Sequence, residues 1–188
     1  MSVDAYKRKE SNVEFLNNFD KIRKSSYQIL MRDFGVKKRQ YSIHLIEEIY
    51  KLDENDQATL EQIMEKYKIS SAAVDKYPEW IITTWRTDIA KLLTSIGIEI
   101  RMFNSVYISD KSLQIAEQEY LLRREHLAKA IGYLWALKDK FQEIIMIVDV
   151  SLGAYVVVNK KIDHEIKLLK GVRQADNKLF DKIKAKFD

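Results

Sequence analysis

Apolar positions along this 188-residue chain recur at intervals of three and four, the period of helices that bury one face. The clearest stripe follows Pro78, where Ile81, Trp85, Ile89, Leu92, Ile96, Ile100, Phe103 and Tyr107 share one side of a predicted helix. After a polar break at Ser109-Asp110-Lys111-Ser112, a second long helix is predicted over about 112–149. Its stripe is Leu127, Ile131, Leu134, Phe141, Ile145 and Val148, with Leu113 and Tyr120 upstream. Tyr155, Val158, Ile162, Ile166 and Leu169 predict another helix, ended by Gly171. Before all of these, Phe15, Phe19, Ile22, Tyr27, Leu30 and Phe34 predict a helix from about Ser11 to Phe34. Ser11 or Asn12 would cap its start and Gly35 would supply the left-handed residue at its end.

Long helices joined by short turns lie antiparallel to their neighbours. The expected architecture is therefore all-α, an up-down antiparallel four-helix bundle forming one domain over 1–188. Two appendages decorate it. Tyr41–Leu52 and Leu60–Tyr67 read as two short amphipathic helices in an insertion at about 40–76. The tail at about 174–188 reads as a basic amphipathic helix carrying Leu179, Phe180, Ile183 and Phe187 on one side.

Composition narrows the function classes. Six of 188 residues are glycine or proline, about 3% against roughly 12% in average usage, which argues against a turn-rich β fold. No two glycines lie closer than 18 residues, so no glycine-rich phosphate loop exists. The absence of cysteine removes disulfides, thiol nucleophiles and cysteine-ligated metals. The start lacks the apolar core of a secretory signal and no stretch reaches a membrane span, so a soluble, cytoplasmic protein is expected.

The net charge of +4 is unevenly spread: +5 over residues 1–40, −5 over 41–80 and +3 over 161–188. Basic ends with an acidic second quarter suit a polyanionic partner or head-to-tail self-association. A solvated mixed-charge helical surface accounts for the same numbers without either. Catalytic constellations are lacking. His44, His126 and His164 have no glutamate three residues before them, which excludes a di-iron carboxylate bundle. The surroundings of His126 and His164 read as exposed helix faces, so neither metal nor other cofactor is expected, and no enzyme activity.

Two features remain. In Tyr120-Leu121-Leu122-Arg123-Arg124-Glu125-His126-Leu127, Arg124 falls on the apolar stripe. An arginine there lies at a bundle end, pairs with a carboxylate such as Glu99, or faces a subunit partner. The segment Lys167 to Lys178 surrounds a helix end with cations. These either cap that end or offer a phosphate-binding surface. The knot Lys37-Lys38-Arg39, after the first helix, has the same two readings.

These segments resemble the four-helix-bundle accessory proteins of diversity-generating retroelements, the accessory variability determinant family. The resemblance extends distantly to bundle proteins encoded in ribosomal RNA intervening sequences. It is carried by Ile22-Arg23-Lys24, Leu30 to Arg39, Tyr77-Pro78-Glu79-Trp80, Leu121-Leu122-Arg123-Arg124 with Ala130, Ile131, Leu134 and Leu137, and Glu165 to Arg173 with Asp176-Asn177-Lys178. It spans roughly 21–39 and 77–180. It implies a basic bundle without catalysis, assembled as a homo-oligomer, commonly a pentamer. The partners it implies are a reverse transcriptase and template RNA or its hybrid with cDNA. The chain departs from that pattern at Val172, where tryptophan is usual, and in the 40–76 insertion. On residues and resemblance together, Lys37, Lys38, Arg39, Arg123, Arg124, Lys170, Arg173 and Lys178 are the expected nucleic-acid contacts. The alternative is a structural or protein-interaction bundle of a phage or mobile element without nucleic-acid contact. Trp80, Ile82, Trp135 and Val157, off the main stripes, would be covered by the insertion or by a neighbouring subunit.

Overall fold

The three-and-four spacing becomes four α-helices in the computed structural model, which describes residues 13–32, 34, 77–148 and 150–187. They are α1 (Glu14–Met31), α2 (Glu79–Ser105), α3 (Leu113–Ile147) and α4 (Leu152–Lys184). Cross-helix contacts set their directions. The Phe15 ring meets Phe103 at 5.0 Å and Phe34 meets Trp85 at 5.8 Å, so α1 and α2 run antiparallel. Trp85 Nε1 donates to Glu143 at 2.9 Å, and His126 pairs with Glu99 at 2.6 Å, fixing α2 against α3. Phe141 against Tyr155 and Tyr120 against Asn177 do the same for α3 and α4. The Tyr155 hydroxyl donates to the Phe34 carbonyl at 2.7 Å and closes α4 onto α1. The result is the up-down antiparallel bundle that the sequence predicts. Its first pole holds Phe103, Arg123 and Asp176; its second holds Phe34, Trp85 and Tyr155.

One core runs the length of the bundle, from Phe103, Leu127 and Leu169 to Trp85, Phe141 and Tyr155. The buried faces are wider than the stripes because each helix meets two neighbours. Ile82 and Leu93 are buried where Ile81 and Leu92 are only partly so, and Ile29 and Ser26 are buried while Tyr27 is exposed. Tyr107 stands in solvent because α2 has ended at Ser105.

Two predicted boundaries are corrected. Gly171 does not end a helix: α4 continues through it to Lys184, so the tail is part of α4 and not a separate element. A single glycine costs a helix about 1 kcal/mol, and burial of Leu169, Asp176 and Ile183 on the same continuous face outweighs that. The first helix ends at Met31 and not at Phe34, and Phe34 itself is left-handed, with φ of 58°. Such a backbone costs an L residue about 1–2 kcal/mol; full burial of its ring against Trp85 and the Tyr155 bond to its carbonyl hold it there. Ser11, Asn12, Gly35 and the 40–76 insertion lie outside the described residues. Of the four off-stripe apolar residues, Ile82 enters the core, whereas Trp80, Trp135 and Val157 are exposed.

Candidate nucleic-acid interface

Arg123 does something different from what the sequence suggests. Its Nε donates to Asp176 of α4 at 2.6 Å, and its Nη1 donates to the carbonyls of Phe103 at 2.7 Å and Val106 at 2.9 Å. Those carbonyls belong to the end of α2, where orphan acceptors need donors. The guanidinium also lies 5.4 Å from the Phe103 ring centre. With side chains 17% and 13% exposed, Arg123 and Asp176 staple the ends of α2, α3 and α4 together. These bonds occupy Arg123 in holding the fold.

Arg124 is the exposed member of the pair, and its placement on the apolar stripe is overturned. It donates to the Tyr120 hydroxyl at 2.8 Å, lies over the Tyr120 ring, and leaves Glu99 to His126. Tyr120 in turn donates to Asn177 at 2.9 Å and stacks on Phe180 at 4.4 Å. The helix turns about 100° per residue, so Arg123 and not Arg124 points between the neighbouring helices. His126 is likewise no surface histidine, being largely buried beside Glu99, whereas His164 is exposed and meets Glu14 at 3.1 Å.

On α4, Lys170 and Lys178 are exposed and Arg173 is half-buried at the edge of the packed face. Reading α4 as one helix adds Lys160, Lys167 and Lys182 to that outer face, all exposed. At 3.6 residues per turn the five lysines fall within about a third of the circumference, and 22 residues from Lys160 to Lys182 span roughly 33 Å. Among the described residues none of the five has an ion-pair partner. The carboxylates of α4 are mostly committed elsewhere: Asp163 to Lys138 at 2.6 Å, Asp176 to Arg123, and Glu165 inside the core. Asp181 is the exposed exception, and at 100° per residue it falls within the same third of the circumference. Gly171 and Gln174 lie within the row and add no charge.

The expected site therefore divides. Lys170 and Lys178 share the α4 row, Arg124 lies beside it across Tyr120 and Phe180, Arg173 is at its edge, and Arg123 is withdrawn into the fold. Lys37, Lys38 and Arg39 lie outside the described residues. Ending the helix at Gly171 separates Lys178 and Lys182 from Lys160, Lys167 and Lys170, so the row shows as one only when α4 is continuous. The spacing of four, three, four, three, four and four through Lys160, His164, Lys167, Gly171, Gln174, Lys178 and Lys182 is present in the sequence.

Other charged groups secure the fold around this face. The Ser109 backbone N–H donates to Glu119 at 2.6 Å, and that bond holds the Glu119 carboxyl below its usual range. Lys186 pairs with Asp110 at 2.8 Å and lowers it likewise. No group of three His, Asp or Glu side chains suited to a metal ion occurs among the described residues, and no described helix is long and apolar enough to cross a membrane. Comparison with protein-family models, with curated proteins and with solved structures returns no match.

Proposed function

We propose that the chain is a non-catalytic nucleic-acid-binding accessory protein of a retroelement reverse transcriptase, acting in the cytoplasm on template RNA or its cDNA. The observation that carries nucleic-acid binding is the α4 row of Lys160, Lys167, Lys170, Lys178 and Lys182. Five exposed cations without partners among the described residues, on one rigid helix, offer a polyanion sites for counterion release. The reverse transcriptase and a homo-oligomer, as large as a pentamer, rest on the sequence resemblance. Binding along this row is indifferent to base identity, since lysines meet phosphates and no aromatic side chain lies in the row for bases to stack on.

Structured RNA titrated at increasing salt tests this reading. The expected log–log slope is about 0.7 to 0.9 per phosphate neutralised. Replacing Lys160, Lys167, Lys178 and Lys182 by glutamine should flatten it by about three units and leave the melting temperature in place. Arg123→Ala should do the opposite, lowering stability by about 2–3 kcal/mol through the stranded Asp176 and α2 carbonyls while keeping the slope. Salt-insensitive or absent binding by the wild-type chain replaces the proposal with the interaction-bundle reading. One observation favours that second reading: Met146, Ile147, Leu152, Val156 and Val157 are exposed together where α3 ends and α4 begins.

A further inference from the structure

The core contains a carboxyl group that nothing in the nucleic-acid reading uses. Glu165 of α4 is fully buried against α1. Its Oε2 accepts from Asn18 Nδ2 at 2.8 Å, and the same amide nitrogen donates to the Lys161 carbonyl at 3.0 Å. Its Oε1 is buried without a hydrogen-bond partner. A buried carboxylate requires a cation or several donors. One shared amide is far short of that, whereas a neutral carboxylic acid fits.

The groups around it reinforce this. From α1, Glu14 adds negative charge one turn from Asn18 and is engaged by His164 across the seam. On α4, Lys161 turns away and donates to Ser25 Oγ at 2.7 Å. From α3, Lys138 is held by Asp163. From α2, the buried residues Leu93, Ile96 and Ile100 carry no charge into the core. Burial, with Glu14 adding to it and Asn18 opposing it, pushes the Glu165 carboxyl up to about 8.

We propose that Glu165 is a proton-controlled latch on α1: protonated it closes the α1–α4 seam, and ionised it releases α1 from the other three helices. Geometry makes α1 the helix to move. It is the shortest of the four, meets α2 only lightly, and is tied to α4 through Asn18, Ser25 and Glu14. The closed seam retains its proton up to about pH 8, whereas an opened, solvated Glu165 loses it in the ordinary carboxyl range. Rising pH therefore favours the open form, by about tenfold per pH unit until about pH 8, and no further above it.

Hydrogen exchange on the full chain at pH 6, 7, 8 and 9, corrected for intrinsic rates, reads this directly. The α1 amides should open about tenfold more per unit from pH 6 to 8 and then level off, while those of α2 and α3 stay flat. In Glu165→Gln the α1 rise should vanish. Flat α1 protection in the wild type overturns the proposal. An equal rise in Glu165→Gln also overturns it and assigns the effect to the Glu14–His164 pair. If that variant fails to fold, carbon NMR titration of the Glu165 carboxyl in the wild type decides: a midpoint near 8 supports the latch, and one in the ordinary range refutes it.

Discussion

The seam between α2 and α3 and the seam between α1 and α4 are built on opposite principles. Between α2 and α3, Trp85, Ile89, Ile96 and Phe103 share the core with Leu127, Leu134, Phe141 and Ile144, and the polar groups that reach in are matched, His126 to Glu99 at 2.6 Å and Trp85 to Glu143 at 2.9 Å. Lys140 bridges Asp88 at 3.3 Å and Glu143 at 2.8 Å at the rim. Its ammonium, helped by the Trp85 N–H, holds the Glu143 carboxyl below its usual range. Between α1 and α4 the polar groups sit in the middle: Asn18, Ser26 and Glu165 are buried, and Ser26 Oγ has no partner among the described residues. The first seam draws most of its stability from apolar area removed from water, a contribution that is nearly independent of pH. The second depends on matched polar groups, so it is conditional on protonation.

The largest effect that can break this contrast comes from truncating the apolar seam. Trp85→Ala removes a 1%-exposed ring, its contact with Phe34 and its bond to Glu143. The expected cost is about 3–5 kcal/mol. Thermal melts should show it equally at pH 5 and pH 8. A loss confined to one pH would mean that this seam too is governed by charge.

The polar seam should respond in the other direction. Glu165→Gln keeps the shape and the acceptor for Asn18 but cannot ionise. The folded carboxyl titrates near 8, above its ordinary range, so its contribution to wild-type stability is complete below that range. That contribution falls as pH rises and reaches its floor once pH passes 8. The variant should match the wild type at pH 4 and exceed it by about 2–4 kcal/mol at pH 8. Denaturant midpoints at the two pH values check both magnitude and sign. An equal change at both pH values would remove ionisation as the cause.

The apolar seam was the legible one. The stripe from Trp85 to Phe103 repeats with the helical period, and period alone assigns its face. Asn18 and Glu165 were invisible for the same reason: a polar residue on a core face breaks the pattern, and only the opposing helix shows that Asn18 reaches Glu165. Arg124 reads as the stripe residue because it stands four after Tyr120, and only the packing shows that Arg123, a hundred-degree step away, is the one that turns inward. The row on α4 was half legible, since Lys170 and Lys178 stood out as a cluster. Lys160 and Lys182 needed the helix to pass through Gly171, a local glycine signal that the packing of Leu169, Asp176 and Ile183 overrides.

The smallest expected effect sharpens how lightly α1 is held against α2. Gly132 on α3 and Gly97 on α2 are both mid-helix, where alanine gains about 1 kcal/mol from propensity. At Gly132 a Cβ meets nothing within 4 Å, so Gly132→Ala should realise nearly all of that gain. At Gly97 the new Cβ would stand 3.1 Å from Cε1 of Phe19, tighter than ordinary contact. The Phe19 ring is buried and belongs to α1, so the outcome depends on whether α1 can yield a few tenths of an ångström. Its light contact with α2 argues that it can. Gly97→Ala should therefore come out near zero, about 1 kcal/mol short of Gly132→Ala, with the shortfall measuring the push on Phe19. A loss of about 2 kcal/mol or more in Gly97→Ala would show α1 clamped rigidly against α2, and the contrast between the two seams would then not extend to how firmly α1 is held.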